Sequence, residues 1–313
     1  MSGYIVRRLM WAVPTLLVVA LFTFGLLYMT PGDPAALMAG DLATPEDVEK
    51  MREYPGLNKP FPIRFGSWLG GVIRGDLGAS IRTGRPVLSL IVNRLEPTLA
   101  LAIMIEAFIL IVGVPLGVVA AWKQNTWIDR TTMVVAVVGF SVPGFWLAFM
   151  AMWLFGIKLG WLPVAGYVPI SDGLLPFIQY LILPVAVTSV IAMALIVRMT
   201  RACVVDVLRE DYIRTARSKG LRERVVLFRH ALKNAAPPIL TVLGLGFAGL
   251  VTGLIITETV FAIPGLGSLI VTAIAARDYP IIQAFVLLVA AVYVGINLLV
   301  DLLYAYFDPR IRY

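Results

Sequence analysis

Long apolar runs alternate with polar stretches along this chain, and the runs set its architecture. They cover about 9–30, 98–121, 132–157, 177–200, 239–260 and 281–306. Each is near the ~20 residues that an α-helix needs to cross a hydrocarbon core of about 30 Å. The pattern predicts an all-α membrane protein with six transmembrane helices. It divides into an N-terminal transmembrane helix (1–30), an extracytoplasmic segment (31–97) and a five-helix core (98–313) that carries a charged loop at 201–238. The first run follows Arg7 and Arg8 as a signal peptide would, but no convincing small-residue cleavage site ends it, so it reads as a retained helix.

The polar stretches have their own order. Thr44-Pro45-Glu46-Asp47 supplies the cap, first-turn proline and returning acid of a helix start, and Pro55-Gly56 is its expected end. Phe65, Trp68, Leu69, Val72 and Ile73 share one helical face closed by Gly75, and Leu88, Ile91, Val92 and Leu95 repeat that face after Pro86. These amphipathic helices lie on the outer membrane surface or pack over the bundle, or else form a docking platform for something outside. Between the fourth and fifth runs, Asp206 to Pro238 is strongly charged. Within it Glu210 and Asp211 open a short segment, Arg217 and Lys219 close it, and Gly220 follows, which are the start and stop signals of one self-contained helix.

Composition narrows the class. With 59% hydrophobic and 14% charged residues in 313, and a mean hydropathy of +0.88, a water-soluble fold is excluded. The net charge of +7 does not point to nucleic acid, because the basic residues sit in short loops beside apolar runs. One set of loops (1–8, 122–130, 198–234, 309–313) holds sixteen Lys and Arg, and the opposite short loops (158–176, 261–280) hold only Lys158 and Arg277. Both termini are therefore expected to be cytoplasmic. One cysteine, Cys203, and one histidine, His230, leave no basis for a disulfide or a metal cluster. No catalytic elbow and no phosphate-binding Gly-x-x-x-x-Gly-Lys loop is present, so any ATP that drives the protein is bound by another subunit.

Gly113 with Gly117, and Gly249 with Gly253, are spaced for close helix approach, and Pro115, Pro143 and Pro184 should kink their helices. Three acids, Glu106, Glu258 and Asp301, lie at membrane depth. Such groups invite a proton relay or a cation site. Glu258 and Asp301 lie near span ends, where a structural role suffices; Glu106 stays open between the two readings.

The chain resembles a known family. Asp211-Tyr-Ile-Arg-Thr-Ala-Arg-Ser-Lys-Gly-Leu221 followed by His230-Ala-Leu-Lys-Asn234 is similar to the cytoplasmic coupling loop of dipeptide/oligopeptide/nickel-type ABC importer permeases. The likeness extends from Arg7-Arg8-Leu9, Pro14-Thr15-Leu16 and Pro31-Gly32-Asp33-Pro34 through Gly75-Asp76-Leu77-Gly78, Ser80, Pro86-Val87 and Arg94-Leu95. It continues with Trp161-Leu162-Pro163, Glu258, Phe261, Pro264-Gly265-Leu266-Gly267, Arg277-Asp278-Tyr279-Pro280 and Asp308-Pro309-Arg310-Ile311-Arg312. Within that family the chain bears a close likeness to the dipeptide and glutathione importer permeases. In the wider superfamily the loop opens Glu-Ala-Ala; aligned on Gly220, this chain has Arg214, Thr215 and Ala216 there, so only the last alanine is kept.

The resemblance implies a type I ABC importer permease fold in a bacterial inner membrane. It also implies a homologous second permease, two ATPase subunits that hold ATP and Mg, and an extracytoplasmic solute-binding protein. Asp211, Tyr212, Arg214, Thr215, Ala216, Arg217, Lys219, Gly220, Leu221, His230 and Asn234 are the expected ATPase-coupling residues. Small Thr215 and Ala216 would admit the partner closely, Arg214 and Arg217 would pair with its acids, and a face of Val225, Phe228 and Leu232 would pack under the bundle. Gly75, Asp76, Gly78, Glu258, Pro264, Gly265, Gly267, Arg277 and Asp278 are the expected outer gate or binding-protein contacts. The competing readings are an ion-coupled carrier built on the membrane acids, a channel or scaffold, and a nickel-complex permease of the same family.

Overall fold

The computed structural model describes residues 2–29, 43–53 and 59–307, and among these the chain is helical apart from its connections and one isolated bridge between Ala79 and Pro86. In order come α1 (Ser2–Met29), α2 (Pro45–Glu53), α3 (Phe61–Ile73), α4 (Val87–Trp122), α5 (Trp127–Ser141), α6 (Gly144–Lys158) and α7 (Leu174–Leu208). They are followed by α8 (Asp211–Ser218), then α9, which joins Glu223–Val225, Val226–Ala231 and Leu232–Gly253, and then α10 (Ile255–Val260), α11 (Leu266–Ala275) and α12 (Tyr279–Phe307). Among the described residues α4, α7, α9 and α12 are each long and apolar enough to cross a membrane, and α5 with α6 makes a fifth, bent candidate. α1 carries a shorter apolar stretch, Met10–Gly25. The Pro31–Pro34 and Asp308–Arg312 motifs and the Pro55-Gly56 stop lie outside the described residues.

Two compact units divide the chain, one built on Pro97–Ile263 with the stretch from Gly295 onward, the other on Ser2–Glu96 with Pro264–Val294. In the first, α7 is the axis: the end of α4, then α5, α6 and α9 all pack on it. Glycines set the approach of α4. A Cβ on Gly113 would lie 2.7 Å from Met193 Cγ, and one on Gly117 would lie 2.6 Å from Thr200 Cβ and 2.9 Å from the Val197 carbonyl. Between membrane helices dispersion contacts replace the hydrophobic drive, so small residues at the seam let the backbones meet. A Cβ on Gly249 would meet nothing within 4 Å.

The third apolar run is not one straight helix. Pro143 lacks an N–H and holds Val142 extended (φ −82, ψ 129), so α5 stops at Ser141 and α6 leaves at 97°. Gly144 at the start of α6 fits against Ile191 of α7. Pro184, by contrast, lies inside the uninterrupted 35-residue α7, and Pro115 follows a π-turn, Ile109–Gly113, inside α4.

Three boundaries differ from the pattern read in the sequence. Leu88, Ile91, Val92 and Leu95 form the opening turns of α4 rather than a separate surface helix, because apolar positions before and after Pro97 stay in helical phase. Its inward positions are Val87 and Ile91, 0% and 3% exposed, while Leu88 and Val92 face out. α7 runs on to Leu208, and α9 begins at Glu223 rather than near Pro238, so much of the charged loop is helix.

An ion pair fixes α5 to α7. Asp129, buried in the first turn of α5, accepts from Arg201 Nε at 2.5 Å and Nη2 at 2.7 Å, and its Oδ2 also accepts the Asn125 N–H at 2.9 Å. In the second unit, Phe24 of α1 meets Phe61, Phe65 and Trp68 of α3 at 5.5, 5.6 and 5.2 Å between centroids, and the Arg64 guanidinium lies over the Phe24 ring. Phe65 and Trp68 of the amphipathic face expected for α3 are thus engaged by α1, whereas Ile73 is 78% exposed.

Overpacking a close seam costs about 1–3 kcal/mol. Gly117→Ala should therefore lower the thermal midpoint of the detergent-purified protein, although alanine favours helix. Gly246→Ala, with open space around it, should not lower it.

Candidate functional site

α8 follows α7 after only Arg209 and Glu210. Glu210 is extended (φ −66, ψ 147), Asp211 occupies the first turn and Arg217 the last, so the charges oppose the helix dipole as the sequence implied. The helix stops at Gly220, φ +76. Its N–H donates to the Arg217 carbonyl at 2.9 Å and the Leu221 N–H donates to the Ala216 carbonyl at 3.4 Å, the paired bonds of a Schellman end.

One side of α8 is buried in this chain. Ile213 is 0% exposed and Ala216 7%, and this side packs on the Val226–Ala231 turn of α9. Ala216 therefore anchors α8 inward, and the surface presented outward is Asp211, Tyr212, Arg214, Thr215, Arg217 and Lys219. Two of the arginines meet acids of their own chain: Arg214 reaches Asp211 at 3.2 Å, and Arg217 reaches Glu223 at 2.6 Å. Such exposed pairs stabilise little and are readily exchanged for other partners.

Tyr212, His230 and Asn234 are brought together. The Asn234 side-chain amide donates to the Tyr212 hydroxyl and to the His230 carbonyl, both at 2.9 Å, and so ties α8 to α9. The expected inward face of Val225, Phe228 and Leu232 is corrected here. Val225 and Phe228 are exposed (36% and 58%), and Val226, Leu227, Ala231 and Ala235 are buried. At 100° per residue the two sets already lie on different sides of a regular helix, so packing has selected the other side of α9.

The other expected cluster falls largely in the second unit. α3 ends in a Schellman pair at Gly75 (φ +85), with Gly75 N–H to the Val72 carbonyl and Asp76 N–H to the Gly71 carbonyl. Asp76 Oδ1 accepts the Gly78 N–H at 2.9 Å and turns the chain into the Ser80–Arg85 hairpin. That hairpin rests on Asp278, 2% exposed, which accepts from Ser80 Oγ at 2.5 Å, from the Ile81 N–H at 3.2 Å and from the Arg82 N–H at 3.4 Å. Asp278 is aimed by the end of α11, where Arg277 takes the left-handed conformation (φ +53) at a position that favours glycine. Gly265 caps the start of α11, and Ser268 in its first turn accepts from Arg94 Nη1 at 3.3 Å. Gly267 is buried beside it, and Pro264 precedes the cap. Glu258, in the first unit, is fully buried and accepts the Thr98 hydroxyl at 2.6 Å.

Sequence reasoning missed three pairings: Asp129–Arg201, Ser80–Asp278 and Thr98–Glu258. In the sequence Arg201 is one of the basic residues of the 198–234 stretch, and the acid in the first turn of α5 is the signal for its partner. Ser80 and Asp278 were both recognised, but nothing in their 198-residue separation pairs them.

A bundle of apolar helices around α7, with a short capped helix between two of them, is the build of a multi-pass membrane protein. Among solved structures, a chain of the inward-facing MetNI methionine ABC transporter has a TM-score of 0.59 over 71% of this chain and 97% of that one, at 17% identity, and shares the fold. The protein belongs to the family described as binding-protein-dependent transport system inner membrane component, whose model matches residues 113–313, and the corresponding N-terminal model matches residues 1–102. It is a permease component of an ABC importer. A probable peptide ABC transporter permease of Sinorhizobium fredii is 48% identical over the full length of both chains. The dipeptide transport system permease of Alkalihalophilus pseudofirmus is 43% identical and the glutathione transport system permease of Pectobacterium atrosepticum 44% identical, again with 100% of both chains covered.

Replacing Asn234 with Leu removes its bond to the Tyr212 hydroxyl, which ties α8 to α9. Hydrogen exchange of the α8 amides should quicken severalfold, while amides in α7 keep their protection; unchanged exchange in α8 would show that the tie is not what holds it.

Proposed function

We propose that this permease, with a homologous second permease, forms the path by which peptides delivered by an extracytoplasmic binding protein enter the cell, and that α8 is the part gripped by an ATPase subunit. The observation that carries this reading is the build of α8. It is a capped helix with a polar outward side, joined by two residues to α7 and by Asn234 to α9, so a displacement of α8 moves two spanning helices. The termini and α8 lie on the cytoplasmic side in this reading, in keeping with the distribution of Lys and Arg. ATP and Mg are held by the partner ATPases. Their closure would rock the permease pair between inward-open and outward-open states, and the outward arginines of α8 would exchange their exposed pairs for acids of the ATPase.

Peptides are favoured as cargo because relatives 42–48% identical over the whole chain are named as peptide, dipeptide and glutathione permeases. The Gly75–Arg85 and Pro264–Asp278 segments, clasped through Asp278, are assigned to the outer gate and the binding-protein contact.

Gly220→Arg tests the coupling role. The position requires a positive φ, so the substitution should distort the end of α8 at a cost of about 1–2 kcal/mol in backbone strain. The variant should still enter the membrane and assemble, yet lose peptide uptake and the ATPase stimulation that loaded binding protein provides. Normal uptake by this variant would refute coupling through α8. Cysteines placed at Arg82 and Thr83 should crosslink to the binding protein during turnover, and their failure to do so would remove the outer assignment. In vesicles the lone polypeptide should be inert, whereas an ion-coupled carrier would work alone.

A further inference from the structure

Glu106 is a membrane-depth acid that the coupling and gating assignments leave unused. It sits near the middle of α4, nineteen residues after Val87 and sixteen before Trp122. At a helical pitch of 100° per residue it lies at the border of the buried stripe Leu101, Ala102, Ile105 and Ile109, beside the face on which Ile103 and Leu110 are 56% and 52% exposed. It is half-buried, and among the described residues no hydrogen bond or ion pair engages it. Thr98 and Glu258, by contrast, answer one another in the same unit.

A carboxylate in mid-span cannot be left against lipid tails without a large cost, so its face belongs to a polar path or a polar partner. The same stretch of helix offers further acceptors. The π-turn at Ile109–Gly113 makes the Val114 N–H bond to the Ile109 carbonyl, and Pro115 next to it has no N–H to give, so a backbone carbonyl one turn earlier is left without its helical donor. A carboxylate with an unpaired carbonyl on the following turn suits a cationic group rich in N–H donors. In the reading above, the species passing between the permeases is a peptide, whose amino end is an ammonium.

We propose that Glu106 binds the protonated amino group of the solute as it crosses, and so helps set the specificity of the path. This rests on the peptide reading. The charge-assisted bond forms in the translocation step, after the binding protein has released the solute, and is made by this chain rather than by the carrier. The competing partner for the carboxylate is a Lys or Arg of the second permease.

The test uses the complete complex, with its ATPases and binding protein, in proteoliposomes. Uptake of a dipeptide and of its desamino analogue, each at saturating loaded binding protein, is compared for the wild type and Glu106→Gln. Loss of a charge-assisted hydrogen bond corresponds to about tenfold or more. The glutamine variant should copurify with all subunits, import the dipeptide about tenfold more slowly, and import the desamino analogue at the wild-type rate for that analogue. Removing the carboxylate and removing the ammonium would thus not add. Glu106→Asp should recover part of the rate. Equal loss for both solutes, an unchanged dipeptide rate, or loss of the second permease on purification would each overturn the proposal, the last by assigning the carboxylate to that subunit. A wild-type complex that imports neither dipeptide nor glutathione would instead overturn the peptide reading itself.

Discussion

A carboxylate withdrawn from water must have its charge answered, and Asp129 is answered by Arg201. The two parallel bonds of the guanidinium, with the Asn125 N–H as a third, leave little of the carboxylate unsatisfied. Removing either partner of a buried pair strands the other at a cost of about 3–5 kcal/mol, nearer the low end here because the Arg201 side chain is 25% exposed. The pair fixes the start of α5 on the last third of α7, the helix against which its unit is assembled. Everything downstream on α7, including the departure of α8 two residues beyond its end, inherits that position.

Precise helix ends recur wherever the chain places a candidate surface. α3, α8 and α11 each stop with the same pair of backbone bonds, through Gly75, Gly220 and Arg277. At Gly75 and Gly220 the left-handed conformation is adopted without strain. Arg277 adopts it at a cost, and the bonds that Asp278 then makes to the hairpin at Ser80 offset it. The chain thus accepts local strain where the end of one helix must aim a carboxylate at a distant segment.

Much of this was legible in the residues. The apolar runs located the spanning helices, the Thr44 cap and its reciprocal bonds with Asp47 were readable as a tetrapeptide, and the acid start and glycine stop bounded α8 to within a residue or two. Those features are local, and local propensity decides them. The misplaced boundaries have a different cause. Pro97 and Pro238 resemble breaks, yet each lies within a helix whose flanking residues keep packing in phase, so tertiary contact overrides the punctuation. The inward face of α9 differs from the expected one because both sides of the Val225–Ala235 stretch carry apolar residues, so periodicity alone does not choose between them. Of the candidate site, the residues were found but not their pairings: Asp278 with Ser80 and Asn234 with Tyr212 depend on which helices become neighbours, which no spacing along the chain encodes.

The surroundings of Gly220 carry one last consequence. Nothing lies within 4 Å of where its side chain would start, yet its φ is +76. Room is not what the position lacks; handedness is. A residue of the mirror-image configuration would adopt this φ without strain, while an L-residue of any size meets its own backbone first. The exposed end of α8 is therefore defined by the absence of a stereocentre at one atom, a requirement that no repacking of neighbours can relieve because no neighbour imposes it.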